Sequence, residues 1–182
     1  GVQLVVRSSL NTSEGTVVKE ESNMEKMLVS GVATDKNVVQ IAVEGLENKP
    51  GVAFKLFQHL ANHNVNVDMI LQSVEHDGTQ DICFTVTKDM ADTAMETIER
   101  HANTSLKCSR TEVMKDVSKV SIVGAGMMTN AGVAAKMFEA LYDAGVNIRQ
   151  ISTSEIRVTV LVDRKYTEIA AQAVHDAFSL ER

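Results

Sequence analysis

The sequence predicts an α+β chain built from two ferredoxin-like βαββαβ units, each an antiparallel sheet with helices on one face. Three observations predict it. The chain matches itself when shifted by 81 residues. Each copy shows strand and helix periodicities in the same order. The apolar residues are Val, Ile, Leu, Ala and Met with few rings, since aromatics are 4% and tryptophan is absent, so any core is assembled from small and branched side chains.

The repeat carries the division into units. Val39 falls on Val120, Ile41 on Ile122 and Gly45 on Gly126. Gly51-Val52-Ala53 falls on Gly132-Val133-Ala134, Phe57 on Phe138, Leu60 on Leu141, and Val65-Asn66 on Val146-Asn147. After Ile70, which meets Ile151, the second copy is shorter by five residues around His76-Asp77-Gly78. That tripeptide reads as a hairpin turn, where a deletion leaves the paired strands intact.

In the first copy, Val38–Glu44 alternates and is β-branched, which predicts a strand. A loop from Gly45 to Gly51 follows. Val52–His63 has apolar residues at helical spacing, with Pro50 near its first turn, where a missing N–H costs least. Val65–Val74 and Ile82–Thr87 read as strands. Asp89 is placed to cap a helix running to about His101, and Lys107–Met114 reads as the last strand. The second copy ends in a helix, Thr167–Phe178, without a last strand of its own. Leu28–Asp35 stands in the same phase as Ser109–Asp116, so it is expected to fill that edge, because an unpaired strand edge is a liability. The expected domains are 37–116 for the first unit and 27–36 plus 117–180 for the second, with 1–22 as a tail and linker. Units of about 70 residues bury only roughly 60% of their unfolded surface, so the two are expected to pack together and the chain to dimerise.

Charge and composition narrow the function. The formal net charge is −6, which argues against nucleic acid or an anionic membrane as partner. No apolar run approaches a membrane span, and the N-terminus has no signal-peptide pattern. Cys83 and Cys108 form no CxxC pair, as in a cytoplasmic chain with reduced thiols. Gly1 in place of Met points to a processed chain or a fragment. No acid–base pair, nucleophile–His set or phosphate loop is apparent, so no catalytic residue, metal or cofactor is expected. Val123-Gly124-Ala125-Gly126 lacks the third glycine of a dinucleotide motif, Thr129 standing in its place. His59 and His63 lie four apart on a helix without a third ligand, and an exposed helical face accounts for them. Cys83 reads as a small buried hydrophobe.

The stretch Gly45-Leu46-Glu47-Asn48-Lys49-Pro50-Gly51-Val52-Ala53, followed by Val65-Asn66-Val67-Asp68-Met69-Ile70, resembles the ACT domain. Val120–Met127, Val146-Asn147-Ile148 and, most specifically, Ile151-Ser152-Thr153-Ser154-Glu155-Ile156 resemble the tandem ACT regulatory region of aspartokinases, of the β-subunit kind. Leu4–Ser9 with Gly15-Thr16 resembles the closing strand of that family's catalytic domain, whose active site lies upstream. The resemblance implies an allosteric module, itself no enzyme, that binds threonine and/or lysine for feedback inhibition and works with an aspartokinase catalytic domain or subunit. It carries over Asn48, Gly51, Ala53 and Gln72 from the first unit and Asn147, Ile148, Ser154 and Glu155 from the second as ligand-binding positions. By this resemblance the main chain at Ala53, Asn147 and Ile148 holds the ligand's amino and carboxylate groups, and the side chains of Gln72, Ser154 and Glu155 read its side chain.

The residues themselves agree in part. A helix N-terminus with unpaired N–H groups suits a carboxylate, and Gly51 permits close approach. Glu155 has an alternative reading as a solvated strand residue. In the second unit Asn130 and Ala131 replace Lys49 and Pro50, which departs from the pattern for an equivalent site there. The resemblance also implies that Asn48 stands where lysine-binding relatives often carry an acidic side chain, which favours threonine, whereas Glu155 suits a lysine ammonium. The alternative function is an ACT-like dimerisation module without ligand.

Overall fold

The computed structural model describes residues 4–6, 16–18, 29–73, 77–124, 127 and 130–180. The Leu28 start of the expected edge strand, His76 of the turn, Ala125-Gly126 and most of the tail lie outside these. Two short strands, β1 (Leu4–Val6) and β2 (Thr16–Val18), form an antiparallel pair.

The first unit comprises β4 (Val39–Glu47), α1 (Val52–Asn62), β5 (Ile70–Gln72), β6 (Thr79–Val86), α2 (Ala91–His101) and β7 (Arg110–Met114). Its sheet order is β5-β6-β4-β7, all antiparallel. Alternation on β4 turns Val39, Ile41 and Val43 toward the helices, where they meet Phe84, Leu56, Leu60 and Ile98 in one core. Phe57 packs edge-on against Phe84, ring centroids 5.7 Å apart. Asp77 and Gly78 both have positive φ, the geometry of the tight β5–β6 hairpin.

The second unit repeats the plan with β8 (Val117–Val123), α3 (Val133–Asp143), β9 (Gln150–Thr153), β10 (Arg157–Asp163) and α4 (Thr167–Ala177). Its fourth strand is β3 (Gly31–Asp35), from before the first unit, in the order β3-β8-β10-β9. Val32 stands opposite Ile122. Val120, Ile122, Val160 and Val162 pack on Met137, Leu141 and Val174. The α+β class with two ferredoxin-like units is therefore borne out.

Several local expectations need correction. β4 does not end at Glu44; it continues to Glu47 through a bulge between Val43 and Leu46. Gly45 makes the bulge, with φ +68° and its N–H donating to Asp81 Oδ1 at 2.8 Å. The strand expected over Val65–Val74 is regular only at Ile70–Gln72. Upstream, the Asp68 N–H donates to the Thr85 carbonyl, while the Thr85 N–H donates to the Met69 carbonyl. The pairing with β6 thus slips a register there. Asp89 does not cap α2: it lies in a 3-10 turn, Lys88–Met90, and the capping position is Met90. The last strand begins at Arg110, because a π-helical turn over Ala102–Leu106 and a left-handed Lys107 precede it. Cys83 is half-buried rather than buried, and burial still pushes its thiol pKa upward, aided by Asp81, Glu44 and Glu112.

His59 is also not on an open helical face. Its ring stacks on His101 at 3.6 Å between centroids, joining α1 to the end of α2, and Nε2 lies 2.9 Å from Ser105 Oγ. Burial, then His101, His63 and Lys55, hold its pKa below the ordinary histidine value of 6.5. A cation disfavoured in the fold means the unfolded chain binds more protons, so stability rises with pH across this window. The contribution is complete above 6.5 and is lost as pH falls through the depressed pKa. Thermal unfolding midpoints are expected to drop between pH 7.5 and 5.5, and His59→Gln to flatten that slope.

Candidate functional site

The first half of the candidate site is the turn from the Gly45 bulge into α1. The Asn48 N–H donates to the Gly78 carbonyl at 2.9 Å, which ties the loop to the β5–β6 hairpin. Gly51 is the left-handed N-cap of α1, φ 93°, and an added Cβ would meet nothing within 4 Å. The loop is therefore open, and glycine is required there by its φ rather than by crowding. The Val52 N–H reaches the Lys49 carbonyl and the Lys55 N–H the Gly51 carbonyl. The N–H groups of Ala53 and Phe54 in between are those that the first turn of a helix leaves over. The N-cap residue, being glycine, offers no side-chain cap, and no acidic residue lies in the first turn, so the positive end is not neutralised from within that turn. Nearby, Lys49 and Lys107 hold the Glu47 carboxyl below its ordinary range, the hydrogen bond from Lys49 contributing most. Ala53 is half-buried against the first core, while Phe54 beside it is 68% exposed.

Gln72 ends β5, an edge strand, and its amide Nε2 donates to Gln80 Oε1. The second half of the candidate site follows the repeat onto the other sheet. Asn147 is exposed and Ile148 half-buried against the second core, just before β9. Ser154, Glu155 and Ile156 form the exposed tip of the β9–β10 hairpin, where the Ser154 N–H donates to the Arg157 carbonyl at 2.8 Å. Glu155 is thus a turn residue, not a strand residue. The structure places Asn48, Gly51, Ala53 and Gln72 on the first unit, and Asn147, Ile148, Ser154 and Glu155 on the second. Each group lies beside the outer edge strand of its own sheet.

Reasoning from the sequence missed the residues that join the units. The sheet faces turned away from the helices meet through Val38, Val117 and Leu161. Gln40 Nε2 donates to the buried Gln150 Oε1 at 2.9 Å, which leaves Gln40 Oε1 and Gln150 Nε2 without partners. Lys119 forms an ion pair with Asp68 of the other unit. The available signal was polar residues at alternate positions of otherwise apolar strands, Gln40 and Lys119 among them. Among the described residues no group of three or more His, Cys, Asp and Glu could hold a metal ion, and no helix is long and apolar enough to cross a membrane.

The ACT domain family model matches residues 39–101 and 120–178, one match on each repeat. The solved regulatory subunit of aspartate kinase from Thermus thermophilus, in ligand-free form, is 42% identical and superposes with a TM-score of 0.79, covering 83% of this chain and 99% of that one. This chain belongs to the tandem-ACT regulatory regions of aspartokinases. The structure of aspartokinase alpha and beta subunits includes a chain 42% identical, with a TM-score of 0.78, 84% of this chain and 99% of that one being covered. The aspartate kinase of Pseudomonas fluorescens strain SBW25 is 42% identical over 99% of this chain. The regulatory region spans only 44% of that relative's length, the remainder lying outside the match. The resemblance read from Asn48–Ala53 and Ile151–Ile156 is thereby borne out at the level of family and fold.

Proposed function

We propose that this regulatory region is an allosteric sensor of an end-product amino acid, threonine and/or lysine, that feeds back on an aspartokinase catalytic domain or subunit. The observation that carries the reading is the uncapped N-terminus of α1 with the open, left-handed Gly51 in front of it. A carboxylate fits there, and contacts of this kind, less the cost of association, correspond to micromolar to millimolar binding, about −4 to −8 kcal/mol. The region is taken to divide into 37–116 and 27–36 plus 117–180, with 1–22 leading to the catalytic part. Association with a catalytic subunit is supported by the likeness to a chain from an aspartokinase alpha and beta subunit structure. The reading places the protein in the cytoplasm.

The ligand is proposed to sit between the Asn48–Ala53 loop of one protomer and the Asn147–Glu155 segment of another. Two edge strands support a dimer of that kind. Ile70 and Leu71 on β5 are 54% and 45% exposed, and Ile151 on β9 and Ile156 at the hairpin tip 43% and 58%. Apolar side chains this open on unpaired edges call for a cover. Pairing β5 with the partner's β9 brings the two halves of the site together and couples binding to assembly.

A thermal-shift screen over the amino acids made from aspartate tests the reading. At 100 times its dissociation constant, the effector is expected to stabilise the fold by about 2.7 kcal/mol. Gln72→Ala is expected to weaken binding by about 1 kcal/mol, and Glu155→Gln to weaken lysine more than threonine, because lysine alone brings a second ammonium. If no amino acid shifts the transition while the chain still dimerises, the dimerisation-only function replaces this one.

A further inference from the structure

The two units flank an open cleft of about 370 Å³ on the side of the second sheet that its helices leave open. It lies within one chain, apart from the Asn48–Ala53 loop. Lys119 stands in its wall with only 9% of the residue exposed. Lysine is almost never buried to this degree unless paired. Its ion-pair partner is Asp68, which belongs to the first unit and whose side chain is 68% exposed. An ammonium carries three protons, so one wet carboxylate leaves it with donor capacity to spare. Beside it, the hydroxyls of Ser121 and Thr159 bond to each other at 2.8 Å, which leaves one of the two with a proton to donate outward. A second carboxylate, Asp35, lines the same cavity.

We propose that this cavity is a second binding site for a small α-amino acid, which shares Ser154 with the proposed loop site but none of the Asn48–Ala53 loop. The ligand carboxylate accepts from Lys119 and from whichever of the Ser121 and Thr159 hydroxyls is not donating to the other. The ligand ammonium lies between Asp35 and Asp68. Both charges of a zwitterion thus find an opposite charge. The volume suits a small ligand. Asp68 is held to the first sheet by the hydrogen bond from its main-chain N–H to the Thr85 carbonyl, and Lys119 belongs to β8 of the second. A ligand that takes Lys119 from Asp68 therefore replaces a direct contact between the units with a bridged one, and occupancy resets how firmly the units hold each other.

The test is calorimetric titration of the full chain with L-threonine and L-alanine, with acetate and ethylamine as half-ligand controls, alongside amide shift mapping by NMR. Expected are shifts at Ser152 and Thr159 that persist in Ala53→Leu, at least tenfold weaker binding in Lys119→Met, and much weaker binding of both controls. Ser121→Ala combined with Thr159→Val leaves the ion pair in place and is expected to weaken binding severalfold, so the proposal stays testable if Lys119→Met folds poorly. It is overturned if the shifts vanish in Ala53→Leu, if the hydroxyl variant binds like the parent, if acetate binds as tightly as the amino acid, or if no amino acid binds at millimolar concentration. If Ala53→Leu leaves every shift in place, the loop site fails and the cavity stands.

Discussion

Replacing Phe84 with alanine is expected to lower the unfolding free energy by about 3–5 kcal/mol. Phe84 lies on β6, between β5 and β4, with none of its surface exposed. It stands opposite Ile41 on one side and Ile70 on the other, and Phe57 of α1 meets it edge-on. Removing the ring leaves a cavity at the point where sheet and helix of the first unit meet, and neighbours held by two strands relax little into it. A domain of ordinary stability has about 5–15 kcal/mol to lose from, so the change takes a large share. Phe54→Ala is the control: that ring is 68% exposed, and its removal is expected to stay within about 0.5 kcal/mol. Circular dichroism melts of both variants check the pair. Both tyrosines, Tyr142 and Tyr166, lie in the second unit. Tyrosine fluorescence therefore shows whether the loss spreads across the interface.

Gly45→Ala is expected to cost about 2 kcal/mol or more, from two sources. The residue is held at φ +68°, which costs a side-chain-bearing residue about 1–2 kcal/mol. The added Cβ would also fall 2.0 Å from Ser109 Oγ and 2.9 Å from Ser109 Cβ. Ser109 cannot yield freely, since its N–H and its hydroxyl both donate to the Glu44 carbonyl. Adding Ser109→Gly removes both contacts and is expected to recover the steric part but not the φ part, a non-additivity that a double-mutant cycle in denaturant measures. The bulge also sets where Asn48 and Gly51 stand, so Gly45→Ala is expected to weaken amino-acid binding as well.

The fold was legible where the repeat carried it. The 81-residue phase placed Leu28–Asp35 with the second unit, and β3 is found on that sheet. Helical periodicity located α1 and α4 to within a residue or two, because their buried faces are continuous. What was not legible depends on contacts rather than on period. β5 is short because the N–H of Asp68, rather than that of Met69, takes the Thr85 carbonyl and breaks the ladder there. Asp89 has a capping side chain, but a 3-10 turn starts first and moves the helix entry to Met90. The ion pair between Asp68 and Lys119 and the amide pair Gln40–Gln150 arise only when two sheets meet by their open faces. No single strand's alternation encodes such a meeting. For the site, the helix N-terminus could be read from Gly51 and Ala53. The placement of Ser154 and Glu155 at a hairpin tip on a different edge could not.

The amino-acid binding proposed at the α1 N-terminus is tested most directly by titrating the parent chain and Ala53→Leu with L-threonine and L-lysine in a calorimeter. Ala53 is in the first turn and half-buried, so a larger side chain fills the approach to the free N–H groups while the helix persists, which circular dichroism verifies. The expected result is binding of at least one amino acid in the micromolar to millimolar range by the parent, and loss of that loop-site heat in the folded variant. Equal binding by parent and variant, or no binding by the parent, would contradict it.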